Sequence, residues 1–181
     1  MKVGGSRWPT LVLGFVLGGG SMLVGLAQAG RLAPAQPDAL VALAQLVEVE
    51  NRKVDVLLEK DDAAGAIAAL EAMRRERWLS RAEGGDLAVE LRHDIYGRLL
   101  RMRLDYPDVD TIADEALLGI ADEGLGEEWR QLDDNPFTAR LVALRGEVLE
   151  GLGRDDEALG AYEDALDINR TLLERTLGEA P

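Results

Sequence analysis

Between residues 139 and 170 the apolar positions fall at three- and four-residue steps. Leu141, Leu144, Val148 and Leu152 share one face of a 3.6-residue period, which predicts a helix. Gly151 and Gly153 stop it, because glycine accepts positive φ without steric cost. Asp155 and Asp156 open a second helix, where carboxylates complement the positive end of the macrodipole. Ala158, Tyr162, Ala165 and Leu166 line that helix, and the apolar stripe continues through Leu172, Leu173 and Leu177.

The same period recurs upstream. Leu40, Leu43, Val47, Val54, Leu57 and Leu58 define a helix with Asp38 in its first turn; Asp61 and Asp62 start another that carries Ala63, Ala66, Ile67, Leu70 and Met73. Ser80 to Gly85 reads as a loop, with Asp86 placed to cap a third helix. That helix presents Ala88, Leu91, Ile95, Leu99 and Met102, and ends before Pro107, which biases Tyr106 away from helical backbone. Asp108 or Asp110 opens a fourth, with Val109, Ile112, Ala113, Ala116, Leu117 and Ile120 inward. Glu127 to Leu132 forms a separate turn, and Asp134-Asn135-Pro136, a cap followed by proline in the first helical turn, starts a fifth. No stretch alternates with a period of two. The expectation is an all-α chain whose soluble domain, residues 38–181, contains about three antiparallel hairpins, at roughly 38–79, 86–126 and 135–178.

In the last hairpin Gly146, Leu149, Gly153, Ala158, Tyr162, Ala165 and Leu166 stand at spacings that resemble a tetratricopeptide repeat, a family that alternates small and large residues along two antiparallel helices. Ala66, Leu70 and Met73 resemble the same alternation weakly in the first hairpin. One such hairpin cannot bury its faces alone, so the resemblance implies a stack whose concave surface takes a partner segment. It further implies an adaptor or scaffold rather than an enzyme, with a protein or membrane complex as partner and with no catalytic residue, cofactor or metal. On such a surface Arg98, Arg101, Arg140 and Arg145, on the first helices of their hairpins, are the candidate partner contacts.

Ahead of the domain, Trp8 to Gly30 holds no charged residue, while Lys2 and Arg7 precede it. One reading is a cleaved secretory signal ending at Ala27-Gln28-Ala29; the other is a retained membrane helix, for which about 20 apolar residues suffice. Length favours the anchor, as does a stripe of small residues, Gly14, Gly18, Ser21 and Gly25, of the kind that lets helices approach closely in lipid. The basic flank keeps the amino end cytoplasmic in either case, so the domain is expected outside the cytoplasm, in a periplasm, tethered through residues 1–30 or free after cleavage. Residues 31–37, with Pro34 and Pro37, read as a linker.

Composition narrows the function. The 181 residues carry 34 Asp and Glu against 20 Lys and Arg, a formal charge of −14, which argues against nucleic acid as the main partner. Cysteine is absent, so disulfides and thiolate metal sites are excluded within the chain. Glu90-x-x-His93 shares a spacing with paired metal ligands in helix bundles, yet His93 is the only histidine and such a site takes two. Carboxylates are plentiful enough for a secreted hydrolase, with Trp78 and Trp129 as the aromatic candidates, although caps and exposed faces account for nearly all the acids. Eight arginines between Arg74 and Arg103 precede eleven acids between Asp105 and Asp134. They are solvated faces, a polar interface for an acidic partner, or partners of one another.

Overall fold

The computed structural model describes residues 35–109 and 112–178, and among them the chain is all-helical. Six α-helices follow in order: α1 (Pro37–Glu59), α2 (Ala63–Arg74), α3 (Arg81–Asp105), α4 (Asp114–Leu125), α5 (Pro136–Gly151) and α6 (Asp155–Gly178), with a 3₁₀ turn at Trp129–Gln131. Gly14, Gly18, Ser21 and Gly25, and most of the expected linker, lie outside the described residues. Within those residues no helix is long and apolar enough to cross a membrane.

Local chemistry fixes most helix ends. Asp62 caps α2 by accepting the Gly65 amide at 2.8 Å, and Asn135 caps α5 by accepting the Thr138 amide at 2.8 Å, each satisfying a donor left over in the first turn. The α5–α6 turn closes with Gly153 at φ 69°, the Arg154 amide reaching back to the Leu149 carbonyl and the Gly153 amide to Glu150. The α1–α2 turn closes in the same pattern: Asp62 reaches Leu57, Asp61 reaches Leu58, and Asp61 occupies the left-handed position at φ 58°. Aspartate tolerates that conformation better than most residues, which explains a tight turn with no glycine in it.

Two boundaries differ from expectation. The third helix begins at Ser80, not Asp86: Ser80 and Glu83 form a reciprocal capping box, so the expected loop is the first turn of α3. The Gly84-Gly85 break is real, since Gly85 has φ 69° and kinks the helix, but the Asp86 carboxylate accepts from Arg81 at 2.6 Å. The fourth helix begins later, at Asp114, with no side-chain cap at Ala113. Its inward face is Leu117, Leu118, Ile120, Ala121 and Leu125, while Ala113 and Ala116 are exposed.

Helices consecutive in the chain pack on one another, and α3 also touches α1 and α5 directly, which places it against four neighbours. One continuous apolar core runs through the described helices from Leu40 to Ala165. The α5–α6 pairing is the most extensive, and small residues bring it close. A Cβ at Gly146 would fall 2.7 Å from Tyr162 Cε1, so the tyrosine ring lies where a larger residue cannot stand. Ala158, Ala161, Ala165 and Ile168 make the buried face of α6. Leu166, expected inward, is 51% exposed, and Leu173 and Leu177 are exposed as well. The alanine side is the one that fits against α5, and it turns the leucines away.

Candidate interaction face

The three odd-numbered helices share a row of paired polar side chains. On α1, Asn51 and Asp55 stand four residues apart; on α3, Asp94, Arg98, Arg101 and Asp105 follow at four-, three- and four-residue steps, with Gly97 next to Arg98; on α5, Arg140 and Glu147 are seven apart. Each series occupies one face of its helix. Between helices the pairs close the row. Arg98 Nη2 donates to Asp55 at 2.6 Å and Asn51 to Asp94 at 2.9 Å, joining α3 to α1. Arg140 donates to the Asp94 carboxylate at 2.7 Å and to its carbonyl at 3.0 Å. Arg101 grips both oxygens of Glu147, at 2.7 and 3.1 Å, joining α3 to α5. Gly97 makes room for the Arg140 guanidinium, which sits 3.1 Å from where a Cβ would be.

The row is open at its edges and covered at its centre, where Arg98 and Asp94 are 21% and 14% exposed. Arg101 and Arg140 are 45% and 42% exposed, and Asp55 and Glu147 47% and 39%. The Arg101–Glu147 pair, half-exposed on both sides, is of the kind that contributes little net stability. Arg145, the fourth candidate arginine, is elsewhere: it pairs with Asp122 of α4 at 2.7 Å. Three of the four expected contact residues therefore gather on one surface. All four already hold an acid of this chain, but Asp55, Asp94 and Glu147 lie outside the acidic segment 105–134; the arginine-rich and acidic segments meet instead through Arg74 with Glu123 and Arg101 with Asp105.

A second network lies on other faces of α2, α3 and α4, and is more enclosed. Glu71 receives Arg74 and Arg103, each at 3.0 Å, while Arg74 also reaches Glu123, which accepts from the Tyr96 hydroxyl at 2.7 Å. Burial raises the pKa of Glu71, and the hydrogen bonds from Arg103 and Arg74 more than offset that, leaving its carboxyl below the ordinary range. Burial, with the bond to Glu123, raises the Tyr96 phenol, so the hydroxyl stays protonated and donates.

His93 is fully buried where α3, α4 and α5 meet. Its Nδ1 lies 2.7 Å from Thr138 Oγ1 and its Nε2 3.3 Å from the Leu125 carbonyl. Arg92, beside it, donates to the Gly124 and Leu125 carbonyls, so two residues of α3 satisfy the C-terminal end of α4. Desolvation lowers the His93 pKa to about 4, against the Leu125 hydrogen bond that raises it, with nearby Arg92 adding to the lowering. The imidazole is therefore neutral at pH 7, a structural hydrogen-bonding group.

The remaining candidates for chemistry have structural partners. Ser80 is the α3 cap, Trp78 packs against Tyr96 with ring centres 6.4 Å apart, and Trp129 lies under the Arg130 guanidinium at 4.2 Å. A shallow groove beside Trp129 is lined by Asp133, Asp134, Asp164, Asp167 and Ile168. Among the described residues no group of three or more histidine and acidic side chains is placed to hold a metal ion. A scan against protein-family models, a search of curated proteins and a search of solved structures each returned no match.

Proposed function

We propose that the chain is a non-catalytic adaptor or scaffold whose TPR-like helical stack presents the α1–α3–α5 face to a partner protein. The observation that carries this reading is the row from Asp55 through Arg98, Asp94, Arg140, Arg101 and Glu147: six charged side chains from three helices, paired across them, with Asp55, Arg140, Arg101 and Glu147 open to water. An extended partner segment crossing three helices meets alternating charges, and the exposed Arg101–Glu147 pair is weak enough to reopen. Three features support the repeat-like part of the proposal. Gly146 receives Tyr162, Gly153 closes the turn, and Ala158 and Ala165 bring α6 onto α5. The uncharged run from Trp8 to Gly30 supports a tether that holds this domain at a membrane, outside the cytoplasm.

Photo-crosslinking in cells tests the face. A photoreactive residue at Arg101 or Asp94 captures a discrete partner band, and one at Gly119, exposed on α4, does not. Combining Arg98→Glu with Arg101→Glu removes the band while helical content by circular dichroism stays unchanged. Equal capture from both faces, or no capture from the row, sinks the proposal.

A second reading makes the N-terminal helix the working part, docking into an integral assembly through Gly14, Gly18, Ser21 and Gly25; the small-residue spacing favours it. Gly14→Leu with Gly18→Leu separates the two, since only this reading expects loss of co-purification with membrane partners while crosslinking at Arg101 persists.

A further inference from the structure

The Asp94 carboxylate stands at the middle of the α1–α3–α5 face and serves both of its sides. Oδ2 accepts from Asn51 of α1 at 2.9 Å, and Oδ1 accepts from Arg140 of α5 at 2.7 Å. The Asp94 carbonyl takes a further bond from the same arginine nitrogen at 3.0 Å. Arg98, one helical turn along α3, is directed to Asp55 instead. Helix α1 packs chiefly on α2 and α3, and α5 chiefly on α3, α4 and α6, so α3 is the common neighbour of the two flanks.

The two donors depend on this carboxylate differently. Asn51 donates through Nδ2, while its Oδ1 is buried without a partner, so the bond to Asp94 is the one hydrogen bond that orients the amide. An unpartnered buried acceptor is costly, and that single bond works against the cost. The bond from Arg140 is charge-assisted and therefore the stronger of the two. Gly97 lets the guanidinium lie close against α3, since a Cβ there would fall 3.1 Å from Arg140 Nε and 3.2 Å from Nη2. The χ2 torsion of an aspartate is soft, and its two oxygens turn together in one plane. The stronger donor thus sets the direction in which the weaker one finds its acceptor.

We infer that Asp94 is a positioning residue that couples the two flanks of the face: an event that draws Arg140 away from Asp94 on the α5 side is felt at Asn51 on the α1 side. Arg140 is 42% exposed, so a carboxylate on a partner segment can reach it. Its capture releases the Asp94 plane and loosens the Asn51 bond, although the partner has not touched α1. The use of this relay rests on the adaptor reading; its existence does not.

A double-mutant cycle on Asn51 and Arg140, which share no hydrogen bond with each other, reads the relay. In the full-length chain Asn51→Ala and Arg140→Ala are made singly and together, and their unfolding constants in urea are compared, with circular dichroism confirming that each variant is folded. Once Arg140 is gone the carboxylate is no longer held in place, so losing Asn51 as well costs less. The combined effect is expected to fall short of the product of the single effects by about two-fold or more. In an Asp94→Asn background the one remaining side-chain acceptor serves one neighbour at a time, and the shortfall disappears. Independent effects in the parent chain overturn the relay, and a shortfall that persists with Asp94→Asn assigns the coupling to another route and overturns it equally. No partner enters the measurement, so failure of the relay leaves the adaptor reading standing, whereas absence of a crosslinked band from the row sinks that reading and leaves the relay intact.

Discussion

Helices α3 and α6 are nearly equal in length, 25 and 24 residues, and carry ten and nine charged residues, yet they lead opposite lives. Fourteen positions of α3 are buried and only four of α6. The polar residues of α3 go inside: Asp86, Glu90, His93 and Arg103 are all buried. The leucines of α6 stay outside. The difference comes from neighbours, because α3 is packed against four helices and α6 chiefly against one. A central helix can bury charge where adjacent helices bring matching groups, as Glu71 does for Arg103; an end helix exposes whatever its single contact does not use.

The sharpest way to break this comparison is to truncate one leucine in each helix. Leu99, fully buried in α3, becomes alanine at a loss of about 3 kcal/mol, as typical for emptied core sites, measured as a lower urea midpoint at constant slope. Next comes pH. His93 is held neutral in the fold with a pKa of about 4, whereas the unfolded imidazole titrates at 6.5. Its contribution is fully present above pH 6.5 and is lost as pH falls towards 4, because only the unfolded chain takes up the proton there. The loss amounts to roughly 3 kcal/mol across that window. His93→Gln flattens this slope relative to the parent chain; an unchanged slope means that His93 is not the group responsible. A double-mutant cycle on Arg101 and Glu147 measures the exposed part of the row, with a coupling of about 0.5 kcal/mol that shrinks in high salt. A coupling several times larger means a rigid brace instead of an exchangeable surface. The smallest effect is Leu173→Ala in α6, expected within about 0.5 kcal/mol of the parent.

Much of the architecture was legible in the residues. The turn glycine at 153, the Asn135-Pro136 start, the Asp62 cap and the Leu40-Leu43-Val47 face all carry their meaning in local spacing, and all appear where expected. The start of α3 was legible too, in the Ser80-x-x-Glu83 box, but the following glycine pair is the louder signal and suggests a loop. What the spacing does not carry is which side of a helix has a neighbour. Ala165 and Leu166 are both apolar, and leucine gains more on burial, yet the close fit of α5 decides that the alanine goes in. Pairing is illegible for a related reason. The arginines at 98, 101, 140 and 145 stand out as charges, but their acids are between 23 and 46 residues away, and only the stacking brings them together.

The kinked first turn of α3 has a mechanical consequence. The Gln36 amide donates to the Glu83 carbonyl at 2.9 Å, and Glu83 is itself held by Ser80 and Arg77, so the chain just ahead of α1 is stitched to the start of α3. Tension arriving along the backbone before residue 36 is therefore shared with the best-anchored helix of the fold instead of peeling α1 away from its end.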